Sequence, residues 1–426
     1  MANINKFDKF PIEREHILCW LLPVIIKYLK SESITLRMRA VTVLVTLMEN
    51  NPKLQKAAAN IGTVTELHNT IMAIENFEKK EEESKVKKLK YIQDMDLLQF
   101  SEDSKQEIIF AQSALIAFGY ITSGYESIRK KIFEEEKHKT ILELTKHPDA
   151  RIRAAACSCL LFFCRSNKFT KNILISEGIL MIIQKLLYDV YLDVEIAAVG
   201  TLCNLAIDFQ AEICENDICV KRLVELCQSK YFDLRYKAVF GLKNLLFKTT
   251  PDIRKFVLVR LGIDKLIGLL DDESVEIQVQ TLCTMRNIFH EKQDWVNETL
   301  TKFGPDKVLE KIKEKMCCSI PELVLQSLYL LGNITNANDK FKLAISLSSI
   351  PKEWIQLLES KNNVIKRSAL SSIVNMLRKA IDDSSASKKL RKVFQDLGIE
   401  EVLNKLKIDI VPNISKKANQ ALTYLT

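Results

Sequence analysis

The stretches Leu202-Cys203-Asn204-Leu205, Leu242-Lys243-Asn244-Leu245, Met285-Arg286-Asn287-Ile288, Leu331-Gly332-Asn333-Ile334 and Ile373-Val374-Asn375-Met376 decide the reading of this chain. Each sets an asparagine in an apolar run with helical spacing, and the asparagines lie 40, 43, 46 and 42 residues apart. A period of this length, carried by helices alone, is the signature of an armadillo or HEAT array. In such a stack the same position of every unit projects from the same side. Five carboxamides in register form a row. Each offers two N–H donors and an acceptor oxygen, which suits the backbone of an extended peptide.

A second residue class repeats with the asparagines. Gly178, Gly262 and Gly304 fall where a short helix gives way to a longer one, and Gly62 and Gly398 hold the same place. Glycine suits a sharp turn between helices, where φ is often positive. The order short helix, glycine, longer helix, longest helix is the three-helix armadillo plan. The expected fold is therefore all-α, a right-handed superhelical armadillo solenoid of about nine three-helix repeats spanning residues 1–426. One pair of helices leaves an apolar face wet, and stacking against neighbours buries it. Two segments break the period. Residues 77–105, with Lys79-Lys80-Glu81-Glu82-Glu83 and Lys85, Lys87, Lys88 and Lys90, read as a charged insertion, and residues 382–387 read as a polar linker. The last helix carries Lys416, Lys417, Asn419, Gln420 and Thr423, polar enough for an outer face. The first, with Ile17-Leu18-Cys19-Trp20-Leu21-Leu22, has the apolarity of an interior unit, so either something covers it or N-terminal repeats are lacking.

Length and composition agree with an array. At 426 residues the chain exceeds the size at which one compact core keeps growing, and 47% hydrophobic residues exclude disorder. Its 11 glycines and 9 prolines are few for a β-rich or loop-rich protein. The longest apolar run, Ile17 to Ile26, contains Pro23 and is too short to span a bilayer, and no apolar signal core follows Met1. A soluble intracellular protein is expected, with no membrane partner. The net charge of +8 is spread through interleaved Lys and Glu rather than gathered in a patch with aromatic neighbours, which argues against nucleic acid. Most of the 11 cysteines sit in apolar runs and read as small core residues of a reducing compartment. No C-x-x-C pair exists, no histidine is placed to complete a zinc site, and no cofactor or metal is expected.

The candidate site follows from the ladder. Phe240 and Tyr329 lie one helical turn before their asparagines, and Asn336 and Arg378 fall about one turn after theirs. Lys243 and Arg286 sit beside the row. Upstream, Thr46, Tyr120 and Phe162 take the asparagine position, so that stretch is aromatic rather than amide-lined. The partner-binding set is thus Asn204, Phe240, Lys243, Asn244, Arg286, Asn287, Tyr329, Asn333, Asn336, Asn375 and Arg378. The asparagines would bond a peptide backbone, the rings would pack its side chains, and the cations would meet acidic groups or a terminal carboxylate. The competing reading is that the asparagines cap or bridge neighbouring helices. Catalytic motifs are missing: there is no G-x-x-x-x-G-K, G-x-G-x-x-G, G-x-S-x-G or H-E-x-x-H, and the five histidines are scattered. No catalytic residue is proposed.

Several stretches resemble one family. Ile128-Arg129-Lys130-Lys131-Ile132, Arg151-Ile152-Arg153-Ala154-Ala155-Ala156 with Arg165-Ser166, Leu202-Cys203-Asn204-Leu205, Met285-Arg286-Asn287-Ile288, and Leu390-Arg391 with Asp396-Leu397-Gly398-Ile399 are similar to the armadillo repeat-containing protein 8 family, over what corresponds to its C-terminal two thirds. That resemblance implies a non-catalytic subunit of the CTLH/GID E3 ubiquitin ligase complex. It also implies a groove that holds the substrate receptor, scaffold and RING subunits as partners, a role in proteasomal degradation, and residence in cytoplasm and nucleus. The alternative is another armadillo peptide-binding scaffold, or an importin-α-like nuclear transport adaptor for basic signals. That family pairs a tryptophan with each asparagine one turn earlier, where this chain has Phe240 and Tyr329 at best.

Overall fold

In the computed structural model the described residues are 11–72, 102–165, 168–215, 217–290, 304–337, 339–378 and 385–425. All of their regular secondary structure is helical, as the sequence predicts. Contacts divide the chain into an N-terminal part, Met1–Asp208, and a C-terminal part, Phe209–Thr426.

The N-terminal part opens with α1 (Pro11–Leu29) and α2 (Ile34–Met48). Three three-helix modules follow. The first holds α3 (Pro52–Asn60), α4 (63–72) and α5 (Glu102–Ser123). The next holds α6 (Glu126–Glu134), α7 (His138–Leu144) and α8 (Ala150–Phe163). The last holds α9 (Lys168–Ser176), α10 (Ile179–Leu186) and α11 (Leu192–Leu205). Successive long helices pack on one another in the order α2, α5, α8, α11. Small residues such as Ala155, Ala156, Cys157, Ala197, Ala198 and Gly200 let these backbones come close, and all are buried. Thr201 Oγ1 donates to the Cys157 carbonyl at 3.3 Å, and Cys159 Sγ to the Leu115 carbonyl at 3.2 Å, so the stack is tied as well as packed.

The C-terminal part repeats the plan. It contains α12 (Gln210–Glu215), α13 (Asp217–Leu226), α14 (Phe232–Leu245), α15 (Pro251–Leu261), α16 (Ile263–Leu269) and α17 (Val275–Ile288). It continues through α18 (Pro305–Met316), α19 (Pro321–Ala337), α20 (Asp339–Leu347), α21 (Ile350–Leu357) and α22 (Asn363–Arg378). It ends with α23 (Ser385–Asp396), α24 (Ile399–Leu406) and α25 (Pro412–Leu425). Here the stacked series is α14, α17, α19, α22, α25.

The helix boundaries have local causes. Asn51 and Thr250 accept from the Leu54 and Ile253 amides, and each is followed by a proline at the first helical position. The five glycines of the sequence period all have positive φ, from 71° at Gly398 to 84° at Gly62. At Gly178 the space around an added Cβ is open, so the left-handed backbone, not crowding, selects glycine there. Helix α5 starts at Glu102, a turn and a half before its apolar stripe, because Glu102 and Asp103 favour a helix N-terminus. The C-terminal edge of the expected insertion is therefore helical, and its residues 77–101 lie outside the described residues. Likewise residues 382–384 of the expected linker lie outside them, and 385–387 are the first turn of α23.

A clasp between modules recurs in each part. Arg153 donates to the His147 and Pro148 carbonyls at 2.9 and 2.7 Å and to Asp189 of the next module at 2.8 and 3.0 Å. Arg235 repeats this with the Ser229 and Lys230 carbonyls and with Asp272 at 2.9 Å. Lys366 meets Asp409 at 3.3 Å in the corresponding place. The buried cysteines are inert packing groups: burial pushes the Cys157, Cys164 and Cys227 thiols up to about 12.

The first long helix differs from the rest. Val43 is 46% exposed, whereas Ala117, Cys159, Thr201, Thr284, Leu330 and Ser372 at the same place in their modules are buried. Leu36 is exposed where Phe110, Ile152, Val194 and Leu234 are buried, and Trp20 and Val24 of α1 are exposed too. No described helix is long and apolar enough to cross a membrane.

Candidate peptide-binding strip on the long helices

The asparagines have a structural task that the period alone does not reveal. Asn287 Nδ2 donates to the Lys243 carbonyl at 3.0 Å, and Asn333 Nδ2 to the Arg286 carbonyl at 3.0 Å. In the N-terminal part, Asn204 Nδ2 donates to the Leu161 carbonyl at 3.1 Å. Each acceptor stands two residues before the end of the preceding long helix, among the carbonyls that a helix leaves without an N–H partner. The Phe247 N–H, which would serve Lys243 in a longer helix, goes to the Asn244 carbonyl instead. The asparagine of one module thus caps the long helix of the module before it, the bridging role weighed against peptide contact above. Asn244 is buried, 6% exposed. Asn375 is half-buried at the equivalent place, and no hydrogen bond from its carboxamide to a described residue is present.

The basic residues beside the row take part in the same seam. Lys243 Nζ donates to Gln280 Oε1 at 2.9 Å, and Arg286 Nη1 to Gln326 Oε1 at 2.9 Å. Gln326 in turn donates to Glu322 at 2.7 Å. Gln280 and Gln326 were missed by the sequence reading. Their signal was available, since each precedes the asparagine of its own helix by seven residues. Both cations also stand over rings: Lys243 Nζ lies 3.7 Å from the Phe240 centroid, and the Arg286 guanidinium 5.9 Å from that of Tyr329. An amide and a ring thus help to position each cation. Between these helices, burial raises the Cys283 thiol against the pull of Arg286 and Lys243.

In the C-terminal part the structure therefore brings together Phe240, Lys243, Asn244, Arg286, Asn287, Tyr329 and Asn333 along the packed series α14, α17, α19. Asn375 and the exposed Arg378 lie on α22, the next helix of the series. Asn336 lies on the last turn of α19, and its side chain is outside the described residues. Asn204 belongs to the N-terminal part. There Tyr120 and Phe162, which take the ladder position upstream, lie 6.0 Å apart, with Arg165 over Phe162 at 4.6 Å. Two further aromatics escaped the sequence reading. Phe232 and Tyr236 continue the Phe240 strip on α14. Each asparagine that caps a neighbour spends one N–H and keeps the other N–H and its oxygen, the pair that a peptide backbone needs. Among the described residues no three His, Cys, Asp or Glu side chains are grouped to hold a metal.

No family model matches the sequence. Among curated proteins the chain is 27% identical over 333 residues to GID complex subunit 5 of Schizosaccharomyces pombe, covering 76% of this chain and 41% of that protein. It is 24% identical to armadillo repeat-containing protein 8 of Xenopus laevis, covering 76% of this chain and 45% of that one, and equally to its Mus musculus counterpart, at 77% and 48%. The chain spans less than half the length of these relatives. Among solved structures it superposes on an engineered protein with TM-score 0.67 and 18% identity, covering 95% of this chain and 98% of that one. A designed armadillo repeat protein in complex with the peptide (KR)4 gives 0.50 and 15% over 57% of this chain and 98% of its own. The fold is that of armadillo repeats, and over about three quarters of its length the chain is similar to armadillo repeat-containing protein 8 and GID complex subunit 5, the family its motifs resemble.

Proposed function

We propose that this chain is a non-catalytic armadillo-repeat subunit of a GID/CTLH-type E3 ubiquitin ligase. In this reading the strip on α14, α17, α19 and α22 holds an extended tail of the substrate receptor, while scaffold and RING subunits dock elsewhere. The complex would act in the cytoplasm and nucleus and deliver substrates to the proteasome. The observation that carries the peptide role is that Asn287 and Asn333 are only half-buried. Each is fixed by one hydrogen bond inside the array and retains a donor and an acceptor. Membership of the complex rests on the names of the relatives. A basic peptide, the cargo of an importin-like adaptor, would meet Lys243 and Arg286 over the two rings it needs, so like charge opposes that reading.

Affinity purification followed by mass spectrometry tests the proposal. Co-isolation of RING and LisH-CTLH proteins supports it, and recovery of karyopherin-β alone overturns it. The double substitution Asn287→Ala with Arg286→Glu is expected to weaken receptor capture while helicity is retained. Unchanged capture would move the contact off this strip.

A further inference from the structure

From α7 onward, the helix before each long helix repeats one pattern of exposure, and α10 departs from it in sequence. Lys139 on α7, Lys221 on α13, Asp264 on α16, Glu310 on α18, Lys352 on α21 and Glu401 on α24 hold one equivalent, exposed place. All six are charged. On α10 that place is Met181, 60% exposed. Ile182 follows it, where α13, α16, α18 and α21 carry Arg222, Lys265, Lys311 and Glu353. Stacking therefore does not ask for apolar side chains here. The apolar surface continues on the loop after α10, where Val190 is 90% exposed and Tyr191 is exposed too.

Met181 stands at the mouth of a cavity of about 420 Å³ in the N-terminal part. Ile182 and Leu186 line it from α10, and Thr145 from the end of α7. Leu186 and Thr145 are buried and form its depth. One wall is the Arg153–Asp189 pair, with the Tyr191 ring 5.6 Å from the guanidinium. These polar groups are already spent. Arg153 also donates to the His147 and Pro148 carbonyls, and Thr145 Oγ1 donates to the Leu142 carbonyl at 2.6 Å. Two cations stand at the rim. Lys146 is paired with Glu143 at 2.9 Å, whereas the Lys185 ammonium has no hydrogen bond or ion pair to a described residue.

We infer that this cavity seats one large apolar side chain of a partner protein, a leucine flanked by acidic residues. The site lies off the long-helix strip, goes beyond the ligase reading and does not rest on it. Spent walls leave a polar side chain nothing to bond, so it would be desolvated without return, whereas an apolar one gains by leaving water. The volume falls among those of pockets that hold a ligand. Exposed Val190 and Tyr191 extend the apolar surface beyond the cavity, so the occupant is larger than what fills it, as when an anchor side chain of a protein enters a pocket and its neighbours cover the rim. Lys185 fixes the sign of those neighbours: a carboxylate gains a charge-assisted bond there, and a basic group is repelled.

Labelled probe peptides on the full chain test this by fluorescence anisotropy. One is a blocked pentapeptide with a central leucine between pairs of glutamates, the second replaces the leucine by serine, and the third replaces the glutamates by lysines. Carbon-13 labelling of the methionine methyls locates the contact, the Met181 signal being assigned by its loss in Met181→Gln. The leucine–glutamate probe is expected to shift that signal and to bind at least about tenfold tighter than the serine probe, the scale of burying one leucine. Met181→Gln should weaken it about fivefold with an unchanged circular dichroism spectrum, since the other modules fold with charged residues at this place. Lys185→Gln should erase the preference for glutamate over lysine flanks. An unmoved Met181 signal, equal binding of the serine probe, or preference for the lysine probe overturns the inference. So does a homodimer in light scattering that Met181→Gln dissolves, which would put a second copy in the cavity. Probe binding retained in the Asn287→Ala, Arg286→Glu double variant supports a site separate from the strip, and its loss there overturns that separation and the inference with it.

Discussion

Replacing Asn287 by alanine separates the two tasks of the asparagine row. The change removes the 3.0 Å hydrogen bond to the Lys243 carbonyl, an acceptor with no backbone donor of its own. A net hydrogen bond contributes about 1 kcal/mol, and a partly buried orphan acceptor raises the cost toward about 2 kcal/mol. Asn287→Asp should cost more than Asn287→Ala, because it sets a carboxylate oxygen against a carbonyl oxygen. Asn375→Ala is the internal control: with no bond to a described residue to lose, it should cost under about 0.5 kcal/mol. An array of modules unfolds in more than one step, so urea melts are best read beside hydrogen exchange at the amides of α14 and α17. Exchange there should rise about fivefold to thirtyfold in Asn287→Ala and stay unchanged in Asn375→Ala. Equal losses at the two sites, or tolerance of aspartate at 287, would refute the capping account and return the row to binding alone.

Further outcomes follow from the packing. Arg235→Met breaks a pair in which both side chains are about one-tenth exposed, and it should destabilise the C-terminal part by about 3 kcal/mol. Adding Asp272→Leu should recover most of this, as seen in a denaturation cycle. Burial raises the Asp189 pKa, but Arg153 and the Tyr191 N–H outweigh it and leave the carboxyl below its ordinary value. The Val411 N–H lowers Asp409 against burial, and Lys366 adds to it. Depressed folded-state values mean that this stability is present above the unfolded pKa and is lost as pH falls through the folded one, so the Asp189 and Asp409 clasps should weaken below about pH 4 in an acid titration followed by circular dichroism. Leu36→Ala, at a site 38% exposed, should cost about 1 kcal/mol or less, while Leu234→Ala, at the same place in a buried module, should cost about 3 kcal/mol by urea denaturation.

Much of this architecture was legible because it is periodic. The asparagine spacing gave the long helices, and the glycines gave the breaks, where positive φ leaves few alternatives. The apolarity of the first helix was also readable, and Trp20 on it is exposed, but Val43 of α2, which the helical spacing sets on a buried stripe with Ala40 and Leu44, is exposed as well. The start of α5 was harder to read: Glu102–Lys105 are charged and fall inside the expected insertion, although acidic residues are at home on a first turn. The acceptor of each asparagine was not readable at all. It depends on where the preceding helix stops, which is set to within a residue by local hydrogen bonds such as Phe247 to Asn244. Gln280 and Gln326 could have been found, because they repeat at the interval of their asparagines, but a glutamine in a helix draws no notice until its partner is known.

Capping and peptide capture need not compete at one carboxamide. A side chain that grips a peptide backbone must be held still, since a free amide would lose rotamer entropy on binding and return part of each hydrogen bond. The bond from Asn287 to the Lys243 carbonyl removes that freedom in advance, and the Lys243 side chain, fixed by Gln280, is positioned by the same junction. Stacking and recognition are then two readings of one geometry: the contact that sets the distance between modules also sets the spacing and orientation of the groups offered to a partner. On this argument Asn375, which lacks the bond, is the weakest rung for binding although it is free to move, and Asn287 and Asn333 are the strongest because they are not.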